Sequence, residues 1–246
     1  MPNTPVLDRS IQWRINAGTI ESQELSYGSA VQAILSSGLA TAVVRKISAG
    51  KEADVYLASY NEAPIAIKAY RLFRTVHRGG RPIKADTMSW IAAREYEFLR
   101  MAWKGGAPVP TPARRVENMV SMRYLGDEDG PAPRLQDVRL EDPDAALVEI
   151  LRGVEAMAVA GVVHSDLSAF NILVHGGGIW FIDFSGAVRV DRLGTAPWLR
   201  LTRAAESLRH GLNALQTYFR RHGVRIDVEP FIARVVARLD TGGVLR

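Results

Sequence analysis

An aspartate, an asparagine and a second aspartate occur in this sequence at a spacing that suits phosphoryl transfer. Asn171 follows Asp166 by five positions, and Asp183 stands twelve residues further on, directly behind the apolar run 179–182. A carboxylate can accept a hydrogen bond from an attacking hydroxyl and so orient it, while carboxylate and amide oxygens are ligands that Mg²⁺ prefers. We therefore expect Asp166 to orient the acceptor, and Asn171 and Asp183 to hold the metal of a Mg-ATP site.

A lysine and a glutamate outside this stretch indicate how the phosphates would be held. Lys68 lies in an alternating stretch that predicts a β-strand with Ala66, Lys68 and Tyr70 on one face. Glu95 falls on the apolar stripe of a predicted helix, and a carboxylate facing inward needs a cationic partner. A single strand lysine is more often a solvated edge residue, but Lys68 together with Glu95 predicts the ion pair that holds the α- and β-phosphates in kinases.

A turn of small residues between two predicted strands provides a second contact for phosphates. Ser48, Gly50 and Lys51 lie in this turn, and Val55 follows it. Glycine has no Cβ, so backbone N–H groups can approach phosphates closely there. The stretch has one glycine where typical protein kinases have three, so on its own a plain hairpin turn is the better interpretation, and it is not a Walker loop.

The residues around Asp166 lack the features of a regulated protein kinase. His164 is expected to be a structural histidine of the loop rather than a proton carrier. Ser165 stands where many protein kinases have an arginine, so we expect no clamp for a phosphorylated activation loop. About a dozen residues separate Asp183 from the next predicted helix, which is too few for a full activation segment.

Strand patterns come first along the chain and helical patterns later, which is typical of an α+β fold. We expect an N-terminal extension of short helices over residues 1–40, a strand-rich lobe over 41–125 and a mainly helical lobe over 126–246. Residues 71–84 are basic and contain a Gly-Gly pair, so a mobile loop is predicted. The predicted strands are 43–47, 54–58, 64–70, 114–116 and 119–122, with a turn at Asn61-Glu62 and two more short strands around Gly176-Gly177-Gly178. The predicted helices are 86–103 with Asp86 as N-cap, one beginning at Asp142-Pro143 and ending before Gly161, one over 201–219, and a last one around 231–239.

Composition limits the classes of site and partner. The chain has no cysteine, which excludes disulfides and thiolate metal sites. No secretory pattern and no bilayer-length apolar run is visible, so we expect a cytoplasmic protein without a membrane partner. The net charge is +5, and the stretch from Arg189 to Arg225 holds eight arginines against two acids, Asp191 and Glu206. Such a face is compatible with RNA or another polyanion, and equally with a solvated helix surface.

Several segments, in this order, resemble the RIO family of atypical serine/threonine protein kinases and ATPases. The similarity covers most of the chain, from about residue 40 to 225. The first 40 residues are too short for a complete winged helix, which favours the subgroup without one. The matching segments are 48–56, 65–68, 94–97, 122–126, 164–171, 182–184 and 218–223.

The resemblance implies a trimmed bilobal protein-kinase-like fold, with a β-rich N-lobe, a mainly helical C-lobe and no activation segment. It implies an enzyme that uses ATP with Mg²⁺, or with Mn²⁺. The implied roles are Lys68 and Glu95 for phosphate orientation, Asp166 for catalysis, Asn171 and Asp183 for the metal, Ser48, Gly50, Lys51 and Val55 for ATP binding, Met122 as gatekeeper, and the backbone of Arg123 and Leu125 for adenine.

The resemblance also implies which groups accept the phosphoryl group and in which cellular process the enzyme acts. Some family members are ATPases that pass through a phospho-aspartate at the position of Asp183, and some autophosphorylate on serine or threonine, for which Thr75, Thr87 and Ser89 are candidates. Family members act in maturation of the small ribosomal subunit. A subunit precursor or its rRNA is therefore an expected partner of the basic C-terminal face.

Two other functions stay open at this point. A small-molecule kinase of the aminoglycoside or sugar type would share the loop and the metal aspartate, although such enzymes usually carry a longer, more acidic C-lobe. An ATP-gated assembly factor with little kinase activity would use nucleotide occupancy to control binding to a ribosomal precursor.

Overall fold

The structure is a computed structural model that describes residues 20–23, 26–50, 52–75, 85–190 and 197–240. These residues group into two compact units. The first runs up to Tyr96 and takes in Thr111–Tyr124, and the second consists of Glu97–Pro110 and the residues from Leu125 onward. None of the described helices is both long and apolar enough to cross a membrane.

Strands dominate the first unit. Its helices are α1 (Tyr27–Ser36) and the greater part of α2 (Ala85–Lys104), and its strands are β1 (Ile20–Gln23), β2 (Ala42–Ala49), β3 (Ala53–Tyr60), β4 (Ala63–Tyr70), β5 (Leu72–Thr75), β6 (Pro112–Val116) and β7 (Met119–Arg123).

In the described part of this unit, five antiparallel strands form one sheet in the order β2-β3-β4-β7-β6. The hairpin between β3 and β4 turns at Asn61 and Glu62, whose φ angles of 47° and 70° give the left-handed pair typical of a two-residue hairpin loop. This is the turn that the sequence predicted. Strand β4 lies between β3 and β7, so its central residues have a neighbouring strand on both sides.

The sheet buries a different set of side chains on each face because successive strand residues point in opposite directions. Ile67 of β4 packs in a cluster with Ala30 and Ile34 of α1. Tyr70 packs on the other face, in a cluster with Met88 and Ala92 of α2, Ala53 and Val120. Lys68 shares the face of Tyr70, so the strand presents it on the side where α2 packs.

Three expectations for this unit were wrong. Residues 20–23 are strand rather than helix, and residues 72–75 are strand rather than loop, because the two segments pair with each other antiparallel. Helix α2 begins at Ala85, so Asp86 lies inside the helix and not at its N-cap. Helix α1 (Tyr27–Ser36) agrees with the helices expected before residue 40, while residues 1–19, 24–25 and 76–84 of the expected helical extension and loop lie outside the described residues.

Helices dominate the second unit. They are α3 (Pro143–Val159), α4 (Pro197–Phe219), α5 (Val228–Asp240) and two short 3-10 turns (Leu135–Asp137 and Arg220–His222), and the short strands are β8 (Val162–Val163), β9 (Ile172–His175), β10 (Gly178–Phe181) and β11 (Val188–Arg189).

The helix starts and turns of this unit follow from local sequence signals. Asp142 caps α3 by accepting a 2.9 Å bond from the Ala145 amide, and Pro143 takes the first helical position as predicted. Strands β9 and β10 form the expected hairpin.

Strands β8 and β11 pair with each other, and the segment between them carries Asp166 and Asp183. The sequence did not predict this pairing.

Candidate active site

In the first unit, the structure brings Lys68 and Glu95 together. Lys68 lies in the middle of β4, opposite Val55 of β3 and Val120 of β7. Its Nζ donates a 2.8 Å hydrogen bond to Oε1 of Glu95. The Glu95 side chain is only 3% exposed and that of Lys68 13%, so the ion pair is largely screened from water. Because both charges are removed from water, the loss of either side chain would leave the other as a buried charge without a partner.

Tyr70 is a residue of this region whose contact the sequence did not reveal. It stands two positions after Lys68 on the same face of β4, and its hydroxyl donates to Oε2 of Glu95. The Lys68 Nζ also lies 5.2 Å from the centre of the Tyr70 ring. Alternation along β4 indicated that Tyr70 would lie beside Lys68, but only the packing of α2 places Glu95 within reach of its hydroxyl.

The turn between β2 and β3 is closed by backbone bonds at its glycine. The Gly50 amide donates a 3.0 Å bond to the Ala53 carbonyl. A Cβ at Gly50 would lie 2.8 Å from that same carbonyl oxygen, so the turn requires glycine here. Ser48 is half-buried at the end of β2, opposite Val55. Lys51 lies outside the described residues.

Asp54 is a second residue that the sequence analysis missed. Only 5% of it is exposed. Its two carboxylate oxygens accept hydrogen bonds from two different basic side chains. Arg71 donates a 2.9 Å bond to Oδ1, and Lys46 a 3.4 Å bond to Oδ2. Asp54 therefore joins β2 and the residue after β4 at the end of the sheet that carries the turn.

The residues expected to contact adenine are placed by β7 and the segment after it. Met122 is half-buried and packs against the cluster that contains Tyr70 and Val120. The Arg123 amide donates a 2.9 Å bond to the Thr111 carbonyl, so an adenine contact of Arg123 would use its own carbonyl. Leu125 belongs to the second unit, is buried, and accepts a 3.0 Å bond from the Ala132 amide.

In the second unit, Asp166 and Asn171 are directly bonded. The Asn171 side-chain nitrogen donates to the Asp166 backbone carbonyl at 2.8 Å and to its carboxylate Oδ2 at 2.9 Å. Because the nitrogen end of the amide is turned toward Asp166, the oxygen end is the part that can face a cation. The loop thus fixes the orientation of both side chains.

Asp183 is held in an unusual backbone conformation. Its φ of +67° lies in the left-handed region, which few residues other than glycine adopt. Its Oδ1 accepts bonds from the Ser185 amide at 3.3 Å and from the Ser185 hydroxyl at 2.8 Å. Backbone strain of this kind occurs where surrounding bonds enforce it, and it is concentrated at functional sites.

Several contacts join the loop 164–171 to the Asp183 segment, among them a 3.0 Å bond that the Ile182 amide donates to the Asn171 carbonyl. His164 is buried, its Nε2 lies 2.9 Å from the Ile182 carbonyl, and its ring packs edge-on against Phe184 at 5.1 Å. The Ser165 hydroxyl donates a 2.6 Å bond to the Gly186 carbonyl. His164 is therefore placed as a structural residue, and Ser165 joins the two segments at the position where many protein kinases have arginine.

Helix α4 supports the loop from the other side through a close approach. A Cβ at Gly211 would lie 2.6 Å from the Leu167 Cβ, so glycine is what lets the loop residue next to Asp166 pack on this helix. Leu167 itself is buried. Leu167 is thus anchored in the core of the unit, while Asp166 is left half-buried.

The groups around Asp166 shift the pKa of its carboxyl in opposite directions. Burial raises the pKa of Asp166 above its ordinary value, and the Asp183 charge raises it further. The hydrogen bond from Asn171 lowers the pKa, and so do the nearby histidines His164 and His210. Burial outweighs these contributions, so the loop disfavours the ionised form of the carboxylate that it holds in place.

The side-chain oxygens of the second unit are of the kind that Mg²⁺ binds. The structure offers one carboxylate, Asp183, and one amide oxygen, Asn171, in neighbouring segments. Among the described residues, no group of three or more His, Cys, Asp or Glu could hold a metal on its own. Mg²⁺ is commonly bound by one or two carboxylates together with water and substrate phosphates, and this donor set suits that mode of binding.

Comparison with known proteins agrees with these observations. The family model of the RIO domain matches residues 54–231. The RIO-type serine/threonine-protein kinase Rio1 of Haloferax volcanii is 30% identical over 217 residues, which are 80% of this chain and 70% of that protein. The human serine/threonine-protein kinase RIO1 is 31% identical over 214 residues, 78% of this chain but only 36% of that protein. The chain thus spans most of the archaeal relative and about a third of the human one.

Solved structures share the fold. The Rio2 kinase of Chaetomium thermophilum, in its ADP/Mg²⁺-phosphoaspartate complex, has a TM-score of 0.67 at 22% identity, over 96% of this chain and 76% of that one. Another crystal structure of the same kinase has a TM-score of 0.68 over 94% of this chain. At this identity the likeness concerns the fold, which is α+β and kinase-like as predicted. Because the family model matches most of this chain, the chain belongs to the RIO family, and the relatives named here are serine/threonine-protein kinases.

Proposed function

We propose that this protein is a Mg-ATP-dependent phosphotransferase of the RIO type that transfers the γ-phosphoryl group of ATP. The observation that carries the proposal is the bonded pair of Asp166 and Asn171, next to Asp183 held by Ser185. These are the three side chains that phosphoryl transfer requires to be fixed, and each is oriented by a hydrogen bond within the unit.

Each residue has a defined task in this proposal. The Asp166 carboxylate accepts a hydrogen bond from the attacking hydroxyl and orients it. Mg²⁺, when bound, neutralises charge on the phosphates, and Asn171 and Asp183 would hold it. The buried Lys68–Glu95 pair binds the α- and β-phosphates, with Ser48 and Gly50 at the turn, and Val55, Met122, Arg123 and Leu125 contact the nucleoside.

Two groups could accept the phosphoryl group in this proposal, and each defines one form of the reaction. In one, a serine or threonine hydroxyl attacks the γ-phosphorus, the bond to the β,γ-bridging oxygen breaks and ADP leaves. In the other, an Asp183 carboxylate oxygen attacks the γ-phosphorus, the bond to the β,γ-bridging oxygen breaks and ADP leaves. Water then hydrolyses the resulting acyl phosphate to free phosphate and the carboxylate. The second form is supported by the phosphoaspartate of the structurally similar Rio2 kinase.

We further propose that a small-subunit ribosomal precursor or its rRNA is the partner. Arg220, Arg221 and Arg225 are exposed around the short 3-10 turn that follows α4, and they form no ion pair within the described residues. Phosphate groups are natural ligands for such a cluster. An ATP-gated assembly factor with little protein-kinase activity would use the same surface, with hydrolysis serving to release the precursor.

The test follows the γ-phosphate of labelled ATP, with Mg²⁺ and then with Mn²⁺, in the wild type, Asp183→Asn and Asp166→Asn. A hydroxylamine-labile protein adduct that persists in Asp166→Asn and is lost in Asp183→Asn, followed by free phosphate, would establish the ATPase form. Stable label on serine or threonine would establish a protein kinase. Full ATP turnover in Asp183→Asn would contradict the proposal, and faster transfer to an aminoglycoside or sugar than to water would favour a small-molecule kinase.

A further inference from the structure

The two carboxylate oxygens of Glu95 have different partners. Lys68 donates to Oε1 at 2.8 Å, and the Tyr70 hydroxyl donates to Oε2. Both donors come from the same face of β4, two positions apart. Glu95 is therefore attached to one strand at two points rather than by the ion pair alone.

Tyr70 is itself rigidly held. It is 1% exposed, and its ring packs among Met88, Ala92 and Val120. Its backbone exchanges two bonds with Asn118: the Tyr70 amide donates to the Asn118 carbonyl at 3.0 Å, and the Asn118 side chain donates to the Tyr70 carbonyl at 2.6 Å. The hydroxyl is thus presented to Glu95 by a fixed ring on a fixed strand.

The second bond has a specific consequence for the carboxylate. The terminal torsion of glutamate is broad, so a carboxylate with one partner can rotate and exchange its oxygens. A buried donor on each oxygen restricts that rotation and sets the direction in which Lys68 is held. The Lys68 ammonium also lies over the Tyr70 ring at 5.2 Å, where the face of an aromatic ring attracts a cation.

We propose that Tyr70 is a positioning residue for the Lys68–Glu95 pair. In protein kinases this pair must be in place for activity, and regulation acts by moving the helix that carries the glutamate. In this chain the additional bond from the lysine's own strand keeps Glu95 of α2 engaged without a regulator. The inference rests on the proposed function in one respect, that the lysine binds the phosphates of ATP.

The experiment compares Tyr70→Phe with Tyr96→Phe. Tyr70→Phe keeps the packed ring and removes only the hydroxyl. Tyr96 is the residue after Glu95 on α2, and its hydroxyl donates a 3.0 Å bond to the Ala113 carbonyl, so Tyr96→Phe removes a comparable bond that does not reach Glu95. We expect Tyr70→Phe to lower kcat/KM for ATP about tenfold, within the range of coupling between contacting residues, and Tyr96→Phe to leave it unchanged.

A second comparison separates positioning from a loss of stability. If Tyr70 acts through Glu95, its removal has little further effect once Glu95→Gln has broken the ion pair, so the tenfold factor should shrink to less than about twofold in that background. Equal factors in both backgrounds would overturn the proposal. Affinity for ATP, measured by equilibrium dialysis in the same four proteins, provides the same comparison where turnover is too slow to measure.

The variant Lys68→Met distinguishes the role of Tyr70 from the role of the ion pair itself. If Lys68→Met abolishes turnover while Tyr70→Phe leaves kcat/KM unchanged, the lysine has its proposed role and Tyr70 does not position it. If Lys68→Met leaves turnover and ATP affinity unchanged, the proposed role of the pair is wrong, and the inference about Tyr70 is wrong with it.

Discussion

The Lys68–Glu95 region and the Asp166–Asp183 region are built in opposite ways. The first lies on a strand and a helix and joins opposite charges that are almost fully buried. The second lies on loops and holds two carboxylates near each other, one of them with a φ of +67°. In the first region each charge neutralises the other, so that losing one partner would leave the other buried without a counter-charge. In the second, the functional arrangement opposes stability.

The direction of the Asp166 pKa shows this opposition. Burial raises the pKa of Asp166, so the folded state binds its proton more readily than the unfolded chain does. The stabilising contribution of that proton is complete below the unfolded pKa and is lost as the pH rises through the folded pKa. At neutral pH, where the proposed role of Asp166 requires the ionised carboxylate, its burial therefore opposes the stability of the fold.

The largest expected effect is on activity alone. Asp166→Asn should lower ATP turnover by about 10²–10⁴-fold, the range for loss of a positioned acid or base. The free energy of unfolding at neutral pH should stay the same or increase, because the asparagine carries no charge to desolvate. Turnover and urea unfolding of the same preparation test both expectations.

The control for this variant is Asp144→Asn, which removes an exposed carboxylate of the same unit, in the first turn of α3. It should leave turnover unchanged. A marked loss of stability in Asp166→Asn would break the comparison, since it would mean that the loop depends on this charge for its fold.

The buried ion pair should show the reverse pattern. Lys68→Met leaves the Glu95 carboxylate buried without its cation and should destabilise the protein by about 3 kcal/mol, the lower end of the range for a broken buried pair. The double variant Lys68→Met/Glu95→Leu removes both charges and should recover most of that loss while remaining inactive. Chemical unfolding of the three proteins measures this, and an equally unstable double variant would contradict it.

A smaller effect is expected where the two loop segments meet. A Cβ at Gly186 would lie 2.6 Å from the Ser165 hydroxyl oxygen, so Gly186→Ala must displace that hydroxyl and break its bond to the Gly186 carbonyl. We expect a loss of about 1–3 kcal/mol, together with slower ATP turnover.

Ser165→Ala provides the matched background for this test. Once the hydroxyl is gone, the nearest atom to the new Cβ is the Ser165 Cβ at 4.0 Å, so Gly186→Ala should be tolerated there. Urea unfolding of both single variants and the double variant gives the coupling. Equal losses in the two backgrounds would show that the glycine is required for another reason.

Spacing along the sequence was enough to predict the polar residues of both regions. The alternation around Lys68 and the inward position of Glu95 are local signals, and the structure brings this predicted pair into hydrogen-bond contact. The five-residue step from Asp166 to Asn171 is also local, and the bond between the two side chains is a finding of the structure. The helix start at Asp142-Pro143 was predicted for the same reason, since the cap depends on residues three positions apart.

Separation along the chain does not decide which contacts could be predicted, since Lys68 and Glu95 are 27 positions apart, but the missed contacts involve uncharged side chains that gave no sign of needing a partner. Tyr70 reaches Glu95 across 25 positions, and Ser165 reaches Gly186 across 21. Strands β1 and β5 have four residues each, too few for a periodic pattern, and they form only by pairing with each other. Such contacts depend on how elements pack, which no local signal records.

The smallest effect is expected for an ion pair that resembles Lys68–Glu95 in distance alone. Arg209 of α4 donates two bonds to Glu229 of α5, at 2.6 and 2.9 Å, but the two side chains are 43% and 65% exposed. The hydrogen bond from Arg209 lowers the pKa of Glu229 below its ordinary value of 4.5. The stability that follows is present at neutral pH and is lost as the pH falls through that lowered pKa.

Because water and salt screen this pair, Glu229→Gln should change the thermal midpoint at neutral pH by little more than the scatter between replicate melts. The pKa of Glu229, measured by NMR titration, should return toward 4.5 in Arg209→Gln, which shows that the bond exists in solution even where it adds little stability. A midpoint shift as large as that of Lys68→Met would mean that bond geometry governs the strength of these pairs. A small shift with a restored pKa would mean that burial does, and that the cost of breaking the Lys68–Glu95 pair comes from the exclusion of water around the partner left behind.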